Sequence, residues 1–165
     1  MQITRTKIIF IAIFLICTNL LGYAFYIQKT EQILPCPLCV IQRIFYWLIG
    51  LIALLTIIRN PRKLIFRICA VLMVIFSFSG GVVAIRQSWL AQHSSSLECG
   101  MSSEEKFLNA LPFAKWWPDM FEANGDCADV TWKLISLTIP DWSILCFTGL
   151  CLMAIYTLLS NRNQS

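Results

Sequence analysis

Cys36-Pro37-Leu38-Cys39-Val40-Ile41-Gln42-Arg43 stands at the mouth of an apolar run that continues to Ile58, with Arg43 as its only charge. Two cysteines separated by two residues can close a small ring and cycle between dithiol and disulfide. The same spacing supplies half of many zinc sites, which add a second CxxC or an HxxxH. That second half is missing, because the other cysteines of the polar regions, Cys99 and Cys127, are 28 positions apart and His93 is the only histidine. The motif therefore points to redox chemistry at a membrane surface, with no metal expected.

The flanking residues sharpen that reading. Proline suits the first turn of a helix and not its interior, so Pro35 and Pro37 allow a helix to begin beside Cys36 and place Cys39 in its first turn. A helix N-terminus favours a thiolate, and so does a nearby cation. Arg43 lies at i+4 from Cys39 and so projects from the same helical face. A thiolate held there can pass electrons to a lipid-soluble acceptor. The plainer role for Arg43 is an interfacial anchor, but its closeness to the CxxC favours the functional one.

The chain has 165 residues, of which 58% are apolar and 13% charged, a balance that excludes an ordinary soluble domain. Four stretches are long enough to cross ~30 Å of hydrocarbon. They run over Ile8 to Tyr26, Val40 to Ile58, Ile68 to Ile85 and Ser143 to Ser160. Arg5 and Lys7 precede the first stretch, Arg59, Arg62, Lys63 and Arg67 link the second and third, and Arg162 follows the fourth. All nine acidic residues fall in the other two loops, about 27–39 and 87–141. By the positive-inside rule both termini are cytoplasmic and both cysteine pairs face the opposite side. In a bacterial inner membrane that side is the periplasm, where disulfides persist. The first stretch has the basic start of a signal peptide, but it is too long and lacks a clear cleavage site, so it is expected to be retained.

These features predict an all-α membrane protein in which residues 1–165 form one antiparallel bundle of four transmembrane helices. Gly80 and Gly81 mark either a close helix approach or a local flexure. The segment Leu111-Pro112-Phe113-Ala114-Lys115-Trp116-Trp117-Pro118 predicts a short interfacial helix in the long periplasmic loop, as a membrane anchor or a partner-docking surface. Trp89 and Trp142 flank the spans in the manner of interfacial anchors. Cys17, Cys69, Cys146 and Cys151 lie within spans and read as small, inert apolar fillers.

Three stretches resemble the DsbB family of quinone-linked disulfide oxidoreductases: residues Pro35 to Arg43, Ala84-Ile85-Arg86-Gln87-Ser88-Trp89-Leu90, and Gly125-Asp126-Cys127. The resemblance covers nearly the whole chain, including span order and loop sizes. It implies that Cys36 and Cys39 form a disulfide reoxidised by a quinone, ubiquinone or menaquinone, with Cys39 facing the quinone and Arg43 positioning it. It also implies that Cys99 and Cys127 form the disulfide that oxidises a periplasmic thioredoxin-like partner of the DsbA type, Cys99 being the sulfur attacked. The expected surroundings are the lipid bilayer and its quinone pool, with no nucleic acid. Arg86 either holds a quinone headgroup or anchors the interface, and His93 carries no assigned role.

Two other readings compete. A vitamin K epoxide reductase-like enzyme also pairs a membrane CxxC with loop cysteines, but there the loop pair comes first in sequence, and here Cys36 and Cys39 do. A four-span scaffold would use its periplasmic disulfides only as staples, the Cys99/Cys127 bridge contributing roughly 3 to 4 kcal/mol.

Overall fold

In the computed structural model the described residues are 2–30, 35–59, 63–92, 109–110, 115–116, 118, 133–134 and 137–162. Four helices account for nearly all of them: α1, Gln2–Thr30; α2, Pro37–Arg59; α3, Lys63–Gln92; and α4, Ile139–Arg162. Each contains a segment long and apolar enough to cross a membrane, Thr6–Thr30, Pro37–Arg59, Leu64–Gln92 and Ile139–Ser160. The chain is a multi-pass membrane protein built as a four-helix bundle. α3 packs most extensively on α4, α1 on α2 and α2 on α3, and a lighter α1–α4 contact closes the ring.

The helices outrun the apolar stretches that announce them. α2 starts at Pro37, α3 continues to Gln92 and α4 begins at Ile139, so Gln87 and Asp141 are helical rather than the limits of a loop. Polar side chains extend these helices because partners on neighbouring elements satisfy them. Asp141 takes the Ser88 hydroxyl at 2.6 Å on one carboxylate oxygen. On the other it takes the Thr138 hydroxyl at 2.6 Å and the Thr138 amide at 3.1 Å. The Thr138 amide bond is that of a capping box, and the Ser88 bond ties the far end of α3 to the start of α4.

Large apolar side chains such as Leu55, Phe78 and Leu152 point outward, as they must where the solvent is lipid. Several hydroxyls within the helices are satisfied locally: Thr18 donates to the Phe14 carbonyl at 2.8 Å and Thr157 to that of Ala154 at 2.7 Å. Inside the bundle, Tyr46 of α2 stacks on Phe147 of α4 with ring centroids 4.2 Å apart and planes 7° from parallel. Gly80 is what lets Phe147 sit there, since a Cβ at that position would collide with its ring, whereas Gly81 has room for one. Of the two glycines, Gly80 therefore makes the close approach.

Short pieces complete the described chain. Strands β1, Lys133–Leu134, and β2, Leu137–Thr138, pair antiparallel and lead into α4. This hairpin is an addition to the all-α expectation, too short to show a two-residue period in the sequence. Within the anticipated interfacial helix, Lys115, Trp116 and Pro118 are helical and exposed, Trp116 by 82%. The remaining residues of that segment lie outside the described ones.

Candidate active site

The CxxC sits where the chain turns into α2. Cys36 precedes the helix, Pro37 is its first residue, and the first helical bond runs from the Val40 amide to the Cys36 carbonyl at 3.1 Å. The Cys36 sulfur takes the place of a capping oxygen, accepting the Cys39 amide at 3.2 Å. This cap folds the two side chains together, and their sulfurs stand 2.8 Å apart, not joined as a disulfide. Closing that gap to a bond of ~2.05 Å needs only a small side-chain adjustment. Cys36 is buried and Cys39 half-buried.

Arg43, one turn further along α2, is buried rather than reaching outward as an interfacial anchor would. It donates to Gln28 Oε1 of α1 at 2.7 Å and is close enough to interact electrostatically with Cys39 and Cys36. Cys36, Cys39 and Arg43, grouped by their spacing in the sequence, lie within the first two turns of α2 and the residue before it.

It did not find the glutamines. Gln87, 3% exposed on α3, donates from Nε2 to Cys39 Sγ at 3.0 Å and to Cys36 Sγ at 3.3 Å. Its Oε1 accepts Gln42 Nε2 of α2 at 2.6 Å, also in the interior. Gln28, Gln42 and Gln87 therefore surround a site that the sequence presented as two cysteines and an arginine. The missed signal was a polar side chain inside a spanning helix, which normally faces the bundle interior. Arg86, beside Gln87, is exposed. The core takes in Cys17, while Cys69, Cys146 and Cys151 are half-buried and free. Cys99, Cys127 and His93 lie outside the described residues.

Comparison with known proteins adds a family context. A family model described as Disulfide bond formation protein DsbB matches residues 6–157. The chain is 58% identical over 156 residues to the "Disulfide bond formation protein B" of Nitrosospira multiformis, covering 94% of this chain and 93% of the relative. It is 54% identical over 148 residues to the protein of that name in Nitrosomonas europaea, covering 90% of each. Identity to the Azoarcus protein of the same name is 34% over 155 residues, covering 93% of each.

Proposed function

The chain belongs to the DsbB family of disulfide bond formation proteins, and on that footing we propose that it is a thiol:quinone oxidoreductase that reoxidises a periplasmic dithiol oxidase of the DsbA type. The observation that carries this reading is the CxxC itself, two sulfurs 2.8 Å apart and not joined as a disulfide, at a helix N-terminus with a buried arginine one turn away. Such a pair opens and closes without moving the backbone, which a structural staple does not require.

The transfers balance. A partner thiolate attacks Cys99, and the Cys99–Cys127 bond opens as the partner's disulfide forms. The resulting dithiol gives two electrons to the Cys36–Cys39 disulfide, whose bond breaks as the Cys99–Cys127 bond forms again. Re-forming the Cys36–Cys39 bond then releases two electrons and two protons. A bound quinone supplies the two-electron, two-proton acceptor for that last step. The residues present suit it: the Arg43 guanidinium offers a fork of donors to a carbonyl oxygen that gains charge on reduction, and Cys39 is the sulfur less enclosed by protein. Both ubiquinone and menaquinone carry such an oxygen. A DsbA-type protein near −120 mV needs an acceptor stronger still, as the quinone pool is.

The basic link between α2 and α3 and the acidic residues of the other loops support an inner-membrane orientation with both termini cytoplasmic and both cysteine pairs periplasmic. The test is quinone reduction by the purified protein with a reduced DsbA-type partner. Turnover that disappears in Cys39→Ser supports the assignment. Absence of turnover from folded protein with either quinone type returns the chain to the four-span scaffold.

A further inference from the structure

We propose that Gln87 is a further member of the reaction centre, and that Gln42 is its positioning residue, turning the Gln87 amide so that its N–H groups face the sulfurs. The inference rests on the redox reading of Cys36 and Cys39 above. It begins with the direction of the hydrogen bonds. A side-chain amide has one end that donates and one that accepts. Gln42 Nε2, 2.6 Å from Gln87 Oε1, can only donate, so it fixes which end of Gln87 is left for the cysteines. The donor end is presented, at 3.0 Å to Cys39 Sγ and 3.3 Å to Cys36 Sγ.

That orientation matters because the two redox states differ in charge. In the disulfide, neither sulfur is charged and each is a weak acceptor. When an incoming thiolate attacks Cys36, the Cys36–Cys39 bond breaks and Cys39 leaves with the bonding electron pair as a thiolate. After the second exchange Cys36 is a thiol, and the two sulfurs of the donor dithiol are joined in a new disulfide. Of the two protons that dithiol carried, one ends on Cys36 and the other is released. An N–H donor held at Cys39 strengthens as the charge arrives, so it stabilises the reduced pair more than the oxidised one. Stabilising the reduced form raises a reduction potential. In a buried site no water stands ready to replace the lost donor.

The experiment uses full-length protein in detergent micelles, equilibrated in graded thiol–disulfide buffers, with the oxidised fraction of the Cys36–Cys39 peptide read by differential alkylation and mass spectrometry. Neither quinone nor partner is present. Gln87→Leu should lower the equilibrium constant for reduction about tenfold, ~30 mV for a two-electron couple. Gln87→Glu, which keeps the acceptor for Gln42 but replaces the donors, should lower it at least as far. Gln42→Leu should give about a threefold fall in the wild-type background and none in the Gln87→Leu background, since it acts only through that amide. Thr148→Val, on the exposed face of α4, should leave the potential unchanged.

Unmoved potentials in both Gln87 variants overturn the proposal, and a Gln42→Leu effect that persists undiminished without Gln87 overturns the positioning role. A wild-type pair that never opens across the buffer range overturns the redox reading beneath it, an outcome visible before any variant is compared.

Discussion

Gln87 Nε2 of α3 lies 3.0 Å from Cys39 Sγ of α2, a contact between residues 48 positions apart that joins two helices at the sulfur itself. The α2–α3 packing therefore sets a donor against the CxxC as well as building the fold. The bond couples the geometry of the CxxC to the register of α3, which Ser88 in turn fixes to α4 through Asp141.

Arg43→Ala should raise the KM for quinone about tenfold or more while the bundle stays folded, because a lost charged hydrogen bond costs about 1.5 to 3 kcal/mol. Arg43→Lys should recover part of the loss, since a lysine keeps the charge and not the fork. Steady-state kinetics with a soluble quinone analogue measure both. An unchanged KM in the alanine variant would confine Arg43 to its bond with Gln28.

Glycine substitutions should separate by position. Gly80→Ala places a Cβ against the Phe147 ring, which Tyr46 already covers on one face, and should destabilise by about 1 to 3 kcal/mol. Gly149→Ala meets nothing and should be neutral or stabilise by up to ~1 kcal/mol. Unfolding in mixed micelles compares the two, and equal effects would mean that the Gly80–Phe147 contact is not tight.

Asp141→Ala should loosen the junction of α3 and α4, since one carboxylate serves the Ser88 hydroxyl and both the hydroxyl and the amide of Thr138. A cost of about 2 kcal/mol is expected, with Asp141→Asn intermediate because an amide keeps one acceptor. The same unfolding titration reads it, together with faster amide exchange at the start of α4.

Cys127→Ser should leave Cys99 able to hold a DsbA-type partner as a mixed disulfide. Non-reducing electrophoresis of protein mixed with the reduced partner and an oxidant should show a band that dithiothreitol removes. No adduct with any periplasmic thioredoxin-like protein would mean that the roles of Cys99 and Cys127 are misassigned.

Much of this architecture was legible in the residues. Long apolar runs mark spans, so the four helices followed from composition, and the i+4 spacing put Arg43 one turn from Cys39 on α2. The helix ends did not, because Gln87, Ser88 and Asp141 look like loop residues until partners on other helices satisfy them. The Gln42–Gln87 pair joins positions 45 residues apart, which local periodicity does not register. Nor does the sequence distinguish Gly80 from Gly81, since only the placement of Phe147 makes one of them indispensable.

The central claim is that the Cys36/Cys39 dithiol gives its electrons to a quinone. Cys99→Ser/Cys127→Ser protein, freed of quinone and fully reduced so that Cys36 and Cys39 are its one redox pair, can be mixed anaerobically with a soluble quinone, and the Cys36–Cys39 peptide and the quinol quantified together. One disulfide formed in that peptide for each quinol produced, with neither formed in Cys39→Ser, is the predicted result. A quinone left unreduced while the peptide remains a dithiol would contradict it.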